Sequence, residues 1–330
     1  MLHRGQDPLT GKHIGIDTGD LADFKTFDEL MVAYRKQLRY FVDLKIEGNS
    51  KIERLYATRL PSPFMSLVMD DCIATGLDYH AGGARYNPTY IQGVGLGSLT
   101  DSLVAIKYHI FEEGTLCVHE MMEMLRGDFA DEEDFLQVLK DDTPKFGNDC
   151  SYADEVAKEA FRAYYDSITG RPNTKGGTYQ VNLLPTTVHV YFGSKVGALP
   201  SGRRAGETLS EGISPTQGAD TLGPTAVMKS AAAIDHSLTG GTLLNLKFTP
   251  DMLAGDKFKN LSHLVKGYFA LGGHHVQFNV VDADTLRDAQ SKPDAYRDLI
   301  VRVAGYSDYF VDVGPELQDE IISRTEQAGF

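Results

Sequence analysis

IVRVAGYSDYF, residues Ile300 to Phe310, places a single glycine, Gly305, directly behind an apolar run and ahead of a tyrosine and phenylalanine cluster. The β-branched residues before it predict a buried strand over Leu299 to Val303. In plain structural terms, Gly305 marks a bend where the strand ends and backbone packs close to backbone. Glycine also offers chemistry that no other residue can. Its Cα carries two hydrogens and no side chain, so loss of one hydrogen atom leaves a radical that flattens and delocalises onto both flanking amides. A Cβ would crowd that planar state. Such a radical calls for a buried, apolar setting that keeps out water and scavengers.

Outward from this stretch, VQFNVV (Val276 to Val281) predicts a second strand, and a short helix is expected from near Asp284. PELQDEIISRT, with Leu317, Ile321 and Ile322 spaced for one face, predicts a C-terminal helix. VNLLPTTVHVYFG (Val181 to Gly193) is β-branched and aromatic and reads as a strand bounded by Pro185 and Gly193. PSGRRAGETLSEGISPTQGAD (Pro200 to Asp220) is rich in turn residues and too long for a simple connection. Loops of that length are more often functional than idle.

Nearer the N-terminus, Thr26 and Glu29 are spaced for a capping box, ahead of Phe27, Leu30, Met31, Tyr34, Leu38 and Phe41 at helical spacing. GGARYNPTYIQGVGLGS (Gly82 to Ser98) reads as a glycine-rich loop leading into a helix that carries Leu103, Val104, Ile106 and Ile110. Acidic helical stretches near 118–140 and 153–167, the latter with Val156, Ala160, Phe161 and Tyr164 on one face, read as solvated outer helices. Strands alternating with helices give an α/β class.

Composition narrows the function. The 330 residues carry 32 Lys+Arg against 46 Asp+Glu, a formal charge of −14, and no long basic run. That balance argues against nucleic acid or an anionic membrane surface as the main partner. No stretch approaches the roughly 18 consecutive apolar residues of a membrane span, and MLHRGQDPLTGKH lacks the apolar run of a secretory signal. Three scattered cysteines, Cys72, Cys117 and Cys150, fit a reducing cytoplasm better than a disulfide scaffold. The 33 glycines exceed the usual share of about 7% and mark turns and close approaches.

Several motifs fail on inspection. GQDPLTGKH (Gly5 to His13) has five residues between its glycines, where a phosphate-binding loop needs four, and His13 stands at the hydroxyl position. Gly93, Gly95 and Gly97 do not match the dinucleotide fingerprint, and no strand is predicted ahead of them. No H-E-x-x-H and no cysteine pair at zinc spacing occurs, so no metal site is expected. His274 and His275 are adjacent and expected on opposite faces, one in the core and one exposed. Cys117 sits among Glu112, Glu113 and Glu120, which disfavour a thiolate.

The chain resembles the glycyl radical enzymes, the superfamily of pyruvate formate-lyase and the glycerol and propanediol dehydratases. RVAGYSDYF is similar to the radical loop, with Gly305 at the radical-bearing position. The resemblance extends through GGARYN (82–87), PTTVHVYFGS (185–194), SGRRAGETLSEGISPTQGAD (201–220), GPTAVMKS (223–230), GGTLLNLKF (240–248) and HHVQFNVV (274–281). It implies an α/β fold, the C-terminal half of a ten-stranded α/β barrel. Residues 1–198 would be the later part of the barrel domain and 199–330 the glycine radical domain. Arg302, Val303, Ala304, Tyr306 and Ser307 would shape the loop. Thr186 and Thr187 would lie on a barrel strand near the substrate.

SDYF after Gly-Tyr resembles the dehydratase and lyase branch rather than the formate C-acetyltransferase branch, which remains the alternative. Within it, the wording is most similar to the hydroxyproline dehydratases. The resemblance implies radical elimination from a small molecule such as trans-4-hydroxyproline, with no bound cofactor. A separate radical S-adenosylmethionine activating enzyme would install the glycyl radical. The family also needs a thiyl cysteine in a G-C-V-E type turn, with a glutamate as general base, and neither is present here. The chain is therefore expected to lack turnover alone, to pair with the N-terminal half of the same enzyme, and to belong to a cytoplasmic homodimer when full-length. A spare-part module and an inert fragment with unpaired strand edges are the competing readings.

Overall fold

The computed structural model describes residues 1–329. A 33-residue helix, α1 (Phe27–Arg59), begins where Thr26 Oγ1 accepts the Glu29 N–H. The Glu29 carboxylate reaches back to the Lys25 N–H and not to that of Thr26, so the reciprocal half of the capping box lies one residue early. Leu30 and Met31 are fully buried, while Phe41 is exposed because the apolar stripe drifts onto Val42 and Ile46.

Strand β1 (Thr89–Gln92) precedes Gly93-Val94-Gly95 and helix α2 (Leu96–Ile106), which continues as a π-helical turn over Lys107–Glu112. This overturns the expectation of no strand ahead of those glycines. Four residues behind Pro88 are too few to display a period. The start of α2 is filled from within, since the Gly95 N–H donates to Ser210 O and the Ser98 N–H to Ser210 Oγ. Helix α3 (Ser151–Ile168) packs against α1 and α2. The apolar face expected for it is the buried one, with Val156, Ala157, Ala160 and Phe161 inside together with Asp154, while Glu155, Lys158, Arg162 and Asp166 pair at the surface.

Strand β2 (Tyr179–Asn182) pairs in parallel with β1. The strand expected over 181–193 stops there. Pro185 has no N–H to offer a ladder, Thr186 turns the chain with φ +55°, and Val188–Gly193 winds into a short helix, α4. Burial of His189 against the C-terminal helix outweighs the β-propensity of Val188 and Val190.

Residues 199–223 form no helix or strand, yet Ser210, Glu211, Gly212 and Ile213 are buried. Buried irregular backbone needs partners, and Arg203 supplies them. Its guanidinium donates to the carbonyls of Gly193 (2.7 Å), Gly197 (3.0 Å), Val196 (3.4 Å) and Thr208 (3.3 Å), and also to that of Glu207.

Helix α5 (Pro224–Ala232) then leads to β3 (Leu244–Phe248), helix α6 (Phe258–Ala270) and β4 (Val276–Val280), with β3 and β4 parallel. A parallel bridge from Leu183 to Thr242 joins β2 to β3. That single bridge, outside the strands themselves, links the β1-β2 pair to the sheet of β3 and β4 across the expected 198/199 division. Leu244, Leu246 and Phe248 face the core, where Phe248 stacks on Phe278 with ring centroids 5.3 Å apart. Asn245 and Lys247 face the other way and sit opposite Gln277 and Asn279 in register. Helix α7 (Ala283–Ser291), the antiparallel pair β5 (Ile300–Arg302) and β6 (Ser307–Tyr309), helix α8 (Pro315–Ser323) and β7 (Glu326–Gln327) complete the chain. Among the described residues no helix is long and apolar enough to cross a membrane.

Candidate active site around the Gly305 hairpin

The polar face of β3 and β4 is buried; Lys247 of β3 donates to Ile322 O, and Gln277 and Asn279 of β4 find partners in the β5–β6 hairpin. Asn279 Oδ1 accepts the Arg302 N–H at 2.7 Å, and Asn279 Nδ2 donates to Arg302 O at 2.8 Å. Gln277 Oε1 accepts the Gly305 N–H and Arg302 Nε, both at 3.0 Å. Arg302 then closes over the turn, with Nη2 donating to Gly305 O at 3.1 Å and Nη1 to Ser307 Oγ at 3.2 Å. The Val303 N–H donates to Tyr306 O at 2.9 Å, which makes the turn tight.

Gly305 sits at its apex with φ +82°, in the left-handed region that favours glycine, and a Cβ there would meet no atom within 4 Å. Val303 and Ala304 are buried, whereas Gly305, Tyr306 and Ser307 are exposed. The expected buried, apolar surroundings of Gly305 are thus not supplied by the described residues. The hairpin anchors its base and presents its apex.

Behind the hairpin lies a buried charged cluster. Arg324 Nη2 donates to Val303 O at 3.1 Å and to Glu320 Oε2 at 2.8 Å, and Arg324 Nε donates to Glu320 Oε1 at 3.0 Å. His189 Nε2 lies 3.4 Å from Glu320 Oε1, and Gln217 Nε2 donates to the same oxygen at 3.2 Å. Burial alone would raise the Glu320 carboxyl, but the adjacent Arg324 charge and its hydrogen bonds, with His189 beside it, hold it well below the carboxylate range. Glu211, fully buried with Ser214 Oγ donating at 2.8 Å, is pushed the other way by burial and by the Glu320 charge, against the pull of Arg324. Two neighbouring carboxylates therefore hold opposite protonation tendencies. Asp220, buried under Thr325 and Gln327, is raised to about 6 by desolvation.

Residues 1–193 match the Pyruvate formate lyase-like family and residues 209–311 match the Glycine radical family. The chain belongs to the glycyl radical enzymes. It is 52% identical to the trans-4-hydroxy-L-proline dehydratase of Clostridioides difficile over 99% of this chain and 41% of that relative. It is 35% identical to the (2S)-3-sulfopropanediol dehydratase of Klebsiella oxytoca over 99% of this chain and 40% of that relative.

The crystal structure of the Clostridioides difficile hydroxyproline dehydratase, with its substrate trans-4-hydroxy-L-proline bound, matches with a TM-score of 0.97 at 52% identity. The match covers 99% of this chain and 42% of that one. The glycerol-bound B12-independent glycerol dehydratase of Clostridium butyricum matches with a TM-score of 0.95 at 42% identity, over 99% of this chain and 42% of that one. The chain spans about two fifths of the length of these relatives.

In this glycyl radical enzyme chain the cysteines stand apart from the hairpin's hydrogen-bond partners. Cys72 is buried in the helix Asp70–Thr75 beside Gly83, Cys117 caps the helix Val118–Arg126 by accepting the Glu120 N–H, and Cys150 precedes α3. The barrel-strand position expected for Thr186 and Thr187 is corrected. Both lie in the turn after β2, where Thr186 is exposed and its hydroxyl donates to Pro185 O. His274 is exposed and His275 half-buried, so neither fills the core place expected for one of them; His236, hydrogen-bonded to Thr242, does.

Sequence reasoning missed Gln277, Asn279, Asn245, Glu320, Arg324 and Glu211. One signal was available for three of them. In LNLKF and VQFNV the polar residues alternate with the apolar ones, which marks a second, polar face.

Proposed function

We propose that this chain is the C-terminal portion of a glycyl radical dehydratase or lyase, and that Gly305 carries the radical. The observation that carries the reading is the Gly305 apex. The residue sits where L side chains are strained, with its Cα open to an approaching partner, on a hairpin pinned from below by Asn279, Gln277 and Arg324. In the proposed step a radical S-adenosylmethionine activating enzyme takes one hydrogen atom from Gly305 Cα. The Gly305 C–H bond breaks homolytically, a new C–H bond forms on the carbon-centred radical that the activating enzyme generates, and the unpaired electron stays on the glycine.

Residues 1–198 would contribute the barrel wall and 199–330 the radical-bearing part. The substrate is a small hydroxylated or amino-substituted molecule, and the similarity to the hydroxyproline dehydratase makes trans-4-hydroxyproline the first to try. The three cysteines lie outside the hairpin's partners, so the thiyl cysteine and its glutamate base would come from a barrel half outside these residues. The partners are then that N-terminal half and the activating enzyme, in a cytoplasmic homodimer.

Anaerobic activation followed by electron paramagnetic resonance tests the assignment. A glycyl doublet is expected in the wild-type chain and none in Gly305→Ala. A doublet that survives Gly305→Ala overturns it. Multiple turnovers by this chain with activating enzyme and substrate alone would refute the need for a second half.

A further inference from the structure

Two polar side chains grip Gly305 from opposite sides of its Cα. On the amide side Gln277 Oε1 accepts the N–H at 3.0 Å; on the carbonyl side Arg302 Nη2 donates to the oxygen at 3.1 Å. Arg302 Nε also donates to that same Gln277 oxygen at 3.0 Å, so the two side chains form one unit spanning the residue. The orientation of the Gln277 amide is set from behind. Its nitrogen donates to Asn245 Oδ1 and, at 3.3 Å, to Val303 O. The Val303 carbonyl can only accept and the Gly305 N–H can only donate, so the nitrogen faces the first and the oxygen the second. Gln277 is 6% exposed on a strand whose other face is core, whereas the glycine it holds is exposed. A rigid element thus reaches out to an open loop.

The polarity of this grip suits one chemistry. An α-carbon radical is stabilised when the amide nitrogen donates electron density to it and the carbonyl withdraws density from it. An acceptor on the N–H enriches the nitrogen. A cationic donor on the carbonyl oxygen deepens its pull, and charge-assisted hydrogen bonds are the stronger kind. Both contacts act in the same direction. We propose that Gln277, aligned by Asn245 and working with Arg302, is a positioning residue that holds the Gly305 turn and polarises its two amide groups for the radical. This rests on the assignment of the radical to Gly305.

The first measurement needs no activation. Hydrogen exchange at the Gly305 amide is expected to run roughly tenfold faster in Gln277→Leu than in wild type, the effect of one lost hydrogen bond. In Gln277→Glu, which keeps an acceptor oxygen for Gly305 but loses the donor to Val303 O, the rate is expected to fall between the two. Equal rates in wild type and Gln277→Leu overturn the proposal.

The second uses the full chain labelled with 15N,13C-glycine and activated anaerobically. The nitrogen and carbonyl-carbon hyperfine couplings of the doublet are expected to shift in Gln277→Leu and to return in part in Gln277→Glu. Identical couplings in wild type and Gln277→Leu, with the doublet absent from Gly305→Ala, overturn the role of Gln277 alone; a doublet in Gly305→Ala defeats the underlying assignment instead. If Gln277→Leu fails to fold by circular dichroism, Arg302→Met removes the cationic donor from the half-exposed side. An unchanged carbonyl-carbon coupling there overturns the proposal equally.

Discussion

Two irregular segments of this chain use glycine for opposite reasons. At Gly212, inside the buried 199–223 segment, φ is +53° and a Cβ would run into the Leu243 carbonyl oxygen. At Gly305 φ is +82° and a Cβ would meet nothing within 4 Å. The first glycine is demanded by both backbone and packing, the second by backbone alone. Packing therefore explains Gly212 fully, while open space at Gly305 leaves room for another molecule to reach its hydrogens. Arg324 links the two regions, since Glu320, its ion-pair partner, also accepts from Gln217 of the long segment, and its own guanidinium holds Val303 O of the hairpin.

The largest effect is expected at Gly212. Gly212→Ala should cost roughly 5 kcal/mol or more, because strain and a backbone clash act together with no side chain able to move aside. Chemical denaturation measures this, and a loss below about 1 kcal/mol would break the contrast. Arg324→Met should cost roughly 3–5 kcal/mol by leaving Glu320 buried without its partner. Pairing it with Glu320→Leu should recover most of that loss, since no charge is then stranded.

The buried segment also carries a pH signature. Asp220 has its pKa raised to about 6 in the fold, from 3.8, by burial. Between those values the folded chain binds a proton that the unfolded chain has released. Stability should therefore fall as pH rises from about 4 to 6, by up to about 3 kcal/mol from this group. Asp220→Asn should flatten that slope in denaturation midpoints taken across the window; an unchanged slope assigns it to other groups, Glu211 first. The smallest effect is expected at the hairpin. Gly305→Ala should cost only about 1–2 kcal/mol, the price of the left-handed conformation without a clash. A thermal shift as large as that of Gly212→Ala would mean the apex is packed after all.

Much of the order of elements was legible in the sequence, and for local reasons. Val276 to Val281 and Leu299 to Val303 declare strands through β-branched runs. α8 is declared by Leu317, Ile321 and Ile322. The stretch Val181 to Gly193 misleads because its β-branched residues are equally at home in a short helix once His189 is buried against Glu320. Much of the polar loop 199–223 is buried, because Arg203 supplies hydrogen-bond donors that composition alone cannot place. Of the candidate site, the glycine and its arginine could be found by pattern. The group that holds them could not, since Gln277, Asn245, Arg324 and Glu320 are scattered over eighty residues.

The sequence by itself determined the α/β class, the family and the glycine on which the functional proposal turns, because each rests on residue order over a short span. Only the tertiary structure decided that the polar face of β3 and β4 grips the hairpin and that Gly305 stands exposed at its apex. It alone set adjacent buried carboxylates toward opposite protonation. Those properties depend on which distant groups share a low-dielectric interior, and distance along the chain carries no information about that.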